Sequence, residues 1–281
     1  GLTPVTPVFF EVFLPPALHP IPGEEHPVGP IPVGLGGVLN TASVAAALGI
    51  PVTLLHPAGD GVTDAAVAAV TARLGIRART WPSRPDPFIS LVFSDDRDRA
   101  FLSASDNGCL AACPPIPPAS WVHVGGLIEA RAFPERVAAV RAEGARVAVS
   151  GCWAPELLAG LVREQSRPWD LLVLNRKEAE RAAGPGANPA DFAGAAADVV
   201  VTDGPRGAMG VIDGVAVRAA ALPGPVVDPT GAGDAFLGGL LAGRLRGLDP
   251  AASLALAVET ASRVLAIRGG VVLDPALLAG L

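Results

Sequence analysis

An acidic side chain and a glycine-rich turn stand together near the C-terminal end of the chain, where residues 228–234 read Asp-Pro-Thr-Gly-Ala-Gly-Asp. An uncharged segment of helical character follows them. A glycine-rich turn at a helix start leaves backbone N–H groups unpaired at the positive end of the helix dipole, which makes an anion site. Asp234, in the first helical turn, is placed to take a proton from a hydroxyl group that attacks a phosphoryl group at this site.

The alternative for this turn is a packing role. A bare G-x-G-D pattern is more often a helix start whose glycines merely pack and whose Asp stabilises the helix dipole. The complete seven-residue string is more specific than that pattern, and the small residues Gly238 and Gly239 continue it. It resembles the C-terminal signature of the ribokinase-like carbohydrate kinases, the PfkB family. The resemblance implies that Asp234 is the catalytic base and that the N–H groups of Gly231, Ala232 and Gly233 stabilise the transferring phosphoryl group.

The composition indicates a soluble protein with a large core. Of the 281 residues, 50% are hydrophobic and 17% are charged. Residues 26–59 contain no Asp, Glu, Lys or Arg, but several prolines and glycines interrupt them, so no apolar run is long enough to span a membrane. No charged segment followed by an apolar core predicts secretion.

The net charge and the cysteines narrow the classes of partner. A formal charge of -6 without a basic cluster argues against nucleic acid and anionic membranes as partners. Cys109, Cys113 and Cys152 are too few and too unevenly spaced for a disulfide framework or a zinc site. We therefore expect a reduced, cytoplasmic compartment.

Short β-branched strands alternate with capped helices in the second half of the chain, which predicts a parallel, doubly wound α/β sheet. Ligands bind at the carboxyl ends of the strands in such a sheet. The strand ends whose following loops should carry the site are Val124, Val149, Leu174, Val201 and Val227. Alternating apolar and polar residues within 76–107 predict a half-exposed hairpin.

A second glycine-rich turn lies at residues 34–40, which read Gly-Leu-Gly-Gly-Val-Leu-Asn. Gly36 and Gly37 let a polar ligand approach the backbone, and Asn40 offers both a donor and an acceptor to sugar hydroxyl groups. Taken alone, the pattern fits a packing turn equally well. It resembles the N-terminal motif of the family, in which the Asn helps to bind the sugar, although Val38 stands where the family usually has a small residue.

Glu11 is a further candidate substrate ligand. Residues 22–24 read Pro-Gly-Glu and resemble an early turn of the family, and about eleven residues before that turn the family has an Asp that binds substrate hydroxyl groups. Counting back places Glu11 there. A Glu can make the same contacts with one more methylene group, while the apolar residues around it depart from the family pattern.

Two motifs between the glycine turns concern the nucleotide. Asn175 and Glu178 begin a helix and share one of its faces; on spacing alone they fit an ordinary capping box. They resemble the N-x-x-E motif of the family, which implies that Asn175 lies at the nucleotide and that Glu178 holds Mg²⁺ through water. Residues 202–208 resemble the T-x-G-x-x-G loop that lines the nucleotide site in the family. The residues assigned to that loop are Thr202, Gly204 and Gly207.

The resemblance covers nearly the whole chain and implies one Rossmann-like ribokinase domain over residues 1–281. Parts of about 5–33 and 76–107 would form a small β-sheet lid, which implies a homodimer that pairs through the lid. Asp228 and Thr230, with the loop 265–270, would hold a monovalent cation such as K⁺. The implied function is ATP- and Mg²⁺-dependent phosphorylation of a hydroxyl group on a sugar or sugar-like small molecule.

Two other readings remain open at this point. The acceptor is a nucleoside if aromatic residues of the lid, Phe88, Phe93 and Phe101, clamp a base. A catalytically inactive regulatory protein is the alternative outside the enzymes, and the unusual Glu11 motivates it. Arg97 and Arg99 are the cleft candidates for binding a phosphosugar, and because charged turns are usually just solvated, we expect an unphosphorylated acceptor.

Overall fold

The fold is known from a computed structural model that describes residues 1–15, 21–25, 27–94 and 99–281. Its strands, in chain order, are β1 (Leu2–Val5), β2 (Val8–Leu14), β3 (Val33–Gly37), β4 (Thr53–Ala58), β5 (Arg77–Pro82), β6 (Phe88–Ser94), β7 (Arg99–Ser105), β8 (Trp121–Val124), β9 (Arg146–Ser150), β10 (Trp169–Asn175), β11 (Ala196–Thr202), β12 (Ala208–Ile212) and β13 (Val215–Ala219). Its helices are α1 (Val38–Ala47), α2 (Val62–Leu74), α3 (Leu127–Ala132), α4 (Pro134–Ala142), α5 (Pro155–Leu158), α6 (Arg176–Ala183), α7 (Ala232–Leu245) and α8 (Pro250–Val264).

A large sheet runs through the centre of the described residues, with the strand order β13-β12-β11-β10-β9-β8-β1-β4-β5. Strands β1, β4, β5 and β8 to β11 are parallel, while β12 and β13 are antiparallel to their neighbours. The parallel strands are short apolar runs because both faces of such a sheet are buried. The predicted doubly wound α/β fold is confirmed.

Helices cover both faces of the large sheet. The apolar residues of α3, α4, α5 and α6 form one core with one face of the sheet. Those of α1, α2, α7 and α8 form a second core with the other face. The layers therefore bring the starts of α1 and α7 to the same side of the sheet.

A small sheet of order β3-β2-β6-β7 stands apart from the large one. It contains strands from both segments that the sequence assigns to a lid, namely β2 and the β6–β7 hairpin, and β3 joins it at residue 33. The strand β5, at residues 77–82, lies in the large sheet instead, since it pairs in parallel with β4. Residues 16–20, 26 and 95–98, and with them Arg97, lie outside the described residues.

The expected strand before the glycine-rich turn is wrong. Residues 220–227 carry no strand, and Val226 and Val227 are exposed. Pro223 and Pro225 explain the difference, because proline lacks the N–H group that a strand needs for its ladder. The segment is an extended loop that leads from β13 to the candidate site.

None of the helices in the described ranges has the length and apolar character needed to cross a membrane.

Glycines let α7 approach its neighbouring helices closely. A Cβ atom added at Gly238 would lie 2.7 Å from Val44 of α1, and one added at Gly239 would lie 2.7 Å from Thr260 and 3.0 Å from the Cα atom of Ala257 in α8. The two glycines thus set the spacing of three helices that pack on one face of the sheet.

Gly239→Ala should destabilise the protein. The added methyl group meets backbone as well as side chain, and overpacking costs about 1–3 kcal/mol, against about 1 kcal/mol gained from the helix propensity of Ala. Urea unfolding should show a lower midpoint with an unchanged slope. A midpoint equal to or above that of the wild type would contradict the close packing.

Candidate active site

The candidate base Asp234 lies in the first turn of α7 and is held by α1. The side-chain amide of Asn40 donates a hydrogen bond to Asp234 Oδ2 over 2.9 Å. The hydroxyl group of Thr41 donates to the main-chain carbonyl of Asp234 over 3.2 Å. Asn40 is 2% exposed, so this bond is shielded from water. The two predicted glycine motifs therefore meet through their polar residues.

The turn before Asp234 needs glycine for two reasons. Gly231 caps α7 with φ 75°, a left-handed conformation that favours glycine. A Cβ atom there would overlap the Cα atom of Gly270 in the loop that follows α8. Gly233 has no other atom within 4 Å of its Cβ position, so the first turn of α7 is open on that side. The N–H group of Ala232 donates to the carbonyl of Pro229 over 3.3 Å.

Asp228 joins the glycine turn to the loop after α8. Its carboxylate is 4% exposed and accepts hydrogen bonds from the N–H groups of Thr230 and Gly269, each over 2.9 Å. The hydroxyl oxygen of Thr230 is buried, and no hydrogen-bond partner for it lies among the described residues. Asp228, Thr230 and the loop 265–270 are thus brought together, as the sequence predicts.

Glu11 and the Gly-Gly pair are also neighbours. Glu11 lies on β2, 5% exposed, and a Cβ atom at Gly36 would overlap its carboxylate. Gly37 has φ 68°, and a Cβ atom there would overlap the carbonyl of Pro7. Gly36 therefore makes room for the carboxylate, and Gly37 makes the turn into α1.

Asn175 and Glu178 form the capping box that their spacing suggests. The N–H group of Glu178 donates to Asn175 Oδ1, and that of Asn175 donates to Glu178 Oε2, both over 2.9 Å. Glu178 Oε1 also accepts from the N–H group of Trp153 over 3.0 Å. Burial raises the pKa of the Glu178 carboxyl. Both oxygens of Glu178 are therefore already bonded to backbone.

Thr202 lies beside Asn175, because the two residues are paired at the carboxyl ends of β11 and β10. Gly204 is exposed with φ 51°, and Gly207 has φ 90° with no room for a side chain beside Ala219. Arg206 is exposed and pairs with Asp203 over 2.7 Å. Thr202 and Gly204 thus lie at the edge of the sheet that carries Asn175.

The sequence analysis missed a loop after β9. Cys152 and Trp153 have φ 49° and 42°, a conformation uncommon for residues with side chains. The thiol of Cys152 donates to the carbonyl of Gly125 over 2.9 Å. Burial raises the pKa of that thiol, and the carboxylates of Asp234, Glu178 and Glu129 raise it further. Cys152 therefore marks the place where three acidic residues converge.

Glu129 is the second residue that sequence reasoning missed. It lies in the first turn of α3, is 7% exposed, and burial raises its pKa to about 7. Its position three residues after Gly126, behind a predicted strand end, was the available signal.

The proposed aromatic clamp does not form around Phe88. This side chain is 1% exposed and packs edge-on against Phe9, with 5.4 Å between the ring centroids. Phe88 is held in the core because its strand turns that face inward. Phe101, on the outer strand β7, is half exposed, as is Trp153 on the loop after β9.

Among the described residues, no group of three or more His, Cys, Asp or Glu side chains is arranged to hold a metal ion.

Asp228→Asn should loosen the C-terminal loop. The amide keeps one acceptor and turns a donor toward a backbone N–H group, and hydrogen bonds to charged groups contribute about 1.5–3 kcal/mol each. The free energy of unfolding should fall by about 2 kcal/mol in a denaturant titration. Asp274→Asn is the matched control, since Asp274 caps a short helix and Asn caps equally well. Equal stability of both variants would contradict the clamp.

Glu129→Gln should change how stability depends on pH. The carboxyl titrates near 4.5 in the unfolded chain and near 7 in the folded one. The folded protein binds more protons in between, so this group lowers stability as pH rises from 4.5 to 7, by at most about 3 kcal/mol. The variant should gain stability relative to the wild type over that window, measured by urea unfolding at pH 5 and 8. The exposed Glu135→Gln should not, and parallel curves for all three proteins would refute the buried carboxyl.

Comparison with known proteins adds two kinds of similarity. Over 71 residues, the chain is 45% identical to 1-phosphofructokinase of Haloferax volcanii, which covers 25% of this chain and 23% of that protein. The matched part is thus less than a quarter of the relative's length.

The fold resembles two solved kinases along nearly their whole length. The nucleoside kinase of Methanocaldococcus jannaschii, an archaeal member of the ribokinase family, has a TM-score of 0.76 at 21% identity, covering 96% of this chain and 92% of that one. Arabidopsis thaliana ribokinase, complexed with ribose and ATP, has a TM-score of 0.76 at 20% identity, covering 99% and 97%. At these identities the likeness establishes the fold. The description "pfkB family carbohydrate kinase" matches residues 16–273, and the chain belongs to that family.

Proposed function

We propose that the protein is an ATP-dependent kinase that phosphorylates a hydroxyl group of a sugar or sugar-like small molecule. The observation that carries this proposal is the hydrogen bond from Asn40 to Asp234 at the glycine-rich start of α7. It places a carboxylate with a fixed orientation beside a helix N-terminus suited to an anion. Family membership supports the same reaction class.

Asp234 acts as the general base in this reaction. Its Oδ2 is bonded to Asn40, so Oδ1 is the oxygen directed to the acceptor hydroxyl group. The N–H groups at the start of α7, from Gly231 to Gly233, stabilise the charge that develops on the phosphoryl group. The small sheet excludes water from the cleft, since water would compete as the acceptor.

The residues present suit a nucleotide with Mg²⁺. When bound, Mg²⁺ bridges and neutralises the phosphate groups. Asn175, Thr202 and Gly204 lie together at the carboxyl edge of β10 and β11 and line the nucleotide side. Glu178, whose two oxygens each already accept a backbone N–H group, keeps lone pairs for an ordered water and therefore reaches the metal through water.

Asp228 and Thr230 suit a monovalent cation such as K⁺. The buried hydroxyl oxygen of Thr230 lacks a partner within the described residues, and the Asp228 carboxylate holds the adjacent loop at Gly269. An oxygen ligand without a partner next to a buried carboxylate is the chemistry a hard cation needs. The cation would neutralise the carboxylate and fix the turn beside Asp234.

A sugar is the acceptor that the geometry supports best. Asn40 and Glu11 are buried polar side chains beside the Gly-Gly turn, and both suit hydroxyl groups. An inactive regulatory protein would have no need to hold Asp234 in position. The substrates are tested directly by ADP release with Mg²⁺-ATP against free sugars, sugar acids, nucleosides and phosphosugars, with and without K⁺.

Asp234→Asn should lower kcat by at least about 100-fold, because general-base catalysis contributes about 10²–10⁴-fold. The acceptor KM should change little, since the amide is isosteric. Asp249→Asn is the matched control: Asp249 caps α8, and Asn serves there equally well. A near-normal kcat in Asp234→Asn would end the assignment of the base.

A further inference from the structure

Glu129 is a buried carboxyl group without a cation. It is 7% exposed, yet in the described part of the chain no ion pair and no hydrogen bond from another residue's side chain reaches it. Burying an unpaired carboxyl group costs free energy. Packing therefore does not explain the residue, since an apolar side chain of similar size would be more stable there.

The position of Glu129 connects it to the candidate site. Its Oε2 lies 2.8 Å from the Cβ position of Gly126, and Cys152 Cβ lies 3.0 Å from the same point. The preceding Gly125 packs against Pro7 and Val38, at the entrance to the small sheet and the start of α1. Glu129 and Asp234 both act electrostatically on the Cys152 thiol. The carboxyl group thus belongs to the same end of the sheet as the base.

We propose that Glu129 contacts the acceptor: its carboxyl group forms a hydrogen bond with a second hydroxyl group of the sugar and so fixes which hydroxyl group faces Asp234. The inference rests on the proposed kinase function and assigns a specificity residue to it. It favours an acceptor with at least two hydroxyl groups and no phosphate at this wall.

The surroundings of Glu129 suit this contact. Of the titratable groups on the elements packed against α3, the Cys152 thiol interacts with it. His123 of β8 is buried and its pKa is lowered to about 3, so it is neutral. Charged residues of α4 and α5 are bonded elsewhere or exposed: Arg136 donates to the Cys113 carbonyl, Arg141 pairs with Asp170, and Glu135 and Glu156 face solvent.

The protonation state matters for what the carboxyl group offers. Burial raises the pKa of Glu129 to about 7, so near neutral pH a large share is un-ionised. An un-ionised carboxyl both donates and accepts a hydrogen bond, as a sugar hydroxyl group does, while the ionised form only accepts. A purely structural role at the start of α3 would not depend on this donor.

The experiment compares Glu129→Gln and Glu129→Leu with the wild type and with Glu135→Gln, an exposed carboxylate on α4. Kinase assays at pH 6 to 8.5 give kcat and the acceptor KM for D-ribose, adenosine, inosine and D-fructose 1-phosphate. Calorimetry gives the Kd of the same four compounds without ATP. Denaturant unfolding confirms that each variant is folded.

Glu129→Leu should raise the KM and Kd of the accepted compound at least about tenfold, the loss of one hydrogen bond to a buried group, with kcat within about threefold. Glu129→Gln keeps a donor, so its KM should stay within about threefold at pH 6 and lose the rise that the wild type shows above pH 7. Glu135→Gln should behave as the wild type.

The outcomes separate the two proposals. Turnover with KM and Kd unchanged in Glu129→Leu overturns the contact and leaves the kinase function standing. No turnover, but compound binding that Glu129→Leu weakens, supports the contact and overturns the kinase function. Neither turnover nor binding of any of the four compounds in the wild type overturns both.

Discussion

The hydrogen bond between Asn40 and Asp234 is the contact on which the arrangement of the site depends. It joins the first turns of two helices that lie 194 positions apart in the chain. Those turns meet because Gly238 lets α7 lie against α1, and because Gly231 leaves room for the backbone of Gly270. A larger side chain at either glycine would separate the amide from the carboxylate before it touched any ligand.

Polar groups without partners are concentrated around that contact. In the described residues, Asn40 Oδ1 and Thr230 Oγ1 are buried and accept no hydrogen bond, while Glu129 is buried without a cation. Buried polar atoms are normally satisfied, and leaving them so is costly. The cost is acceptable where a ligand completes the bonds, so these atoms outline the surface that a bound molecule would fill.

The sequence predicted the parallel sheet and the approach of its motifs, because both follow from local signals. Alternating strands and helices require a doubly wound sheet, and strand ends in such a sheet share one edge. Asn175 and Glu178 illustrate the limit: the same spacing serves a cap and a ligand site, and the structure has the cap. Val227 was misread because apolar character was weighed above the two prolines before it. Glu129 and Cys152 could not be found, because their meeting depends on loops from different strands.

The position of β1 has a consequence for how the chain acquires its fold. This strand is the first in the sequence, yet it lies inside the large sheet, between β4 and β8, and Leu2 pairs with Trp121. During synthesis one edge of β1 stays unpaired until residues 121–124 have left the ribosome, so more than a hundred residues wait on a single apolar strand. Such long-range pairing slows folding and exposes an aggregation-prone edge. The nascent protein is thus most in need of a chaperone in the first half of its translation.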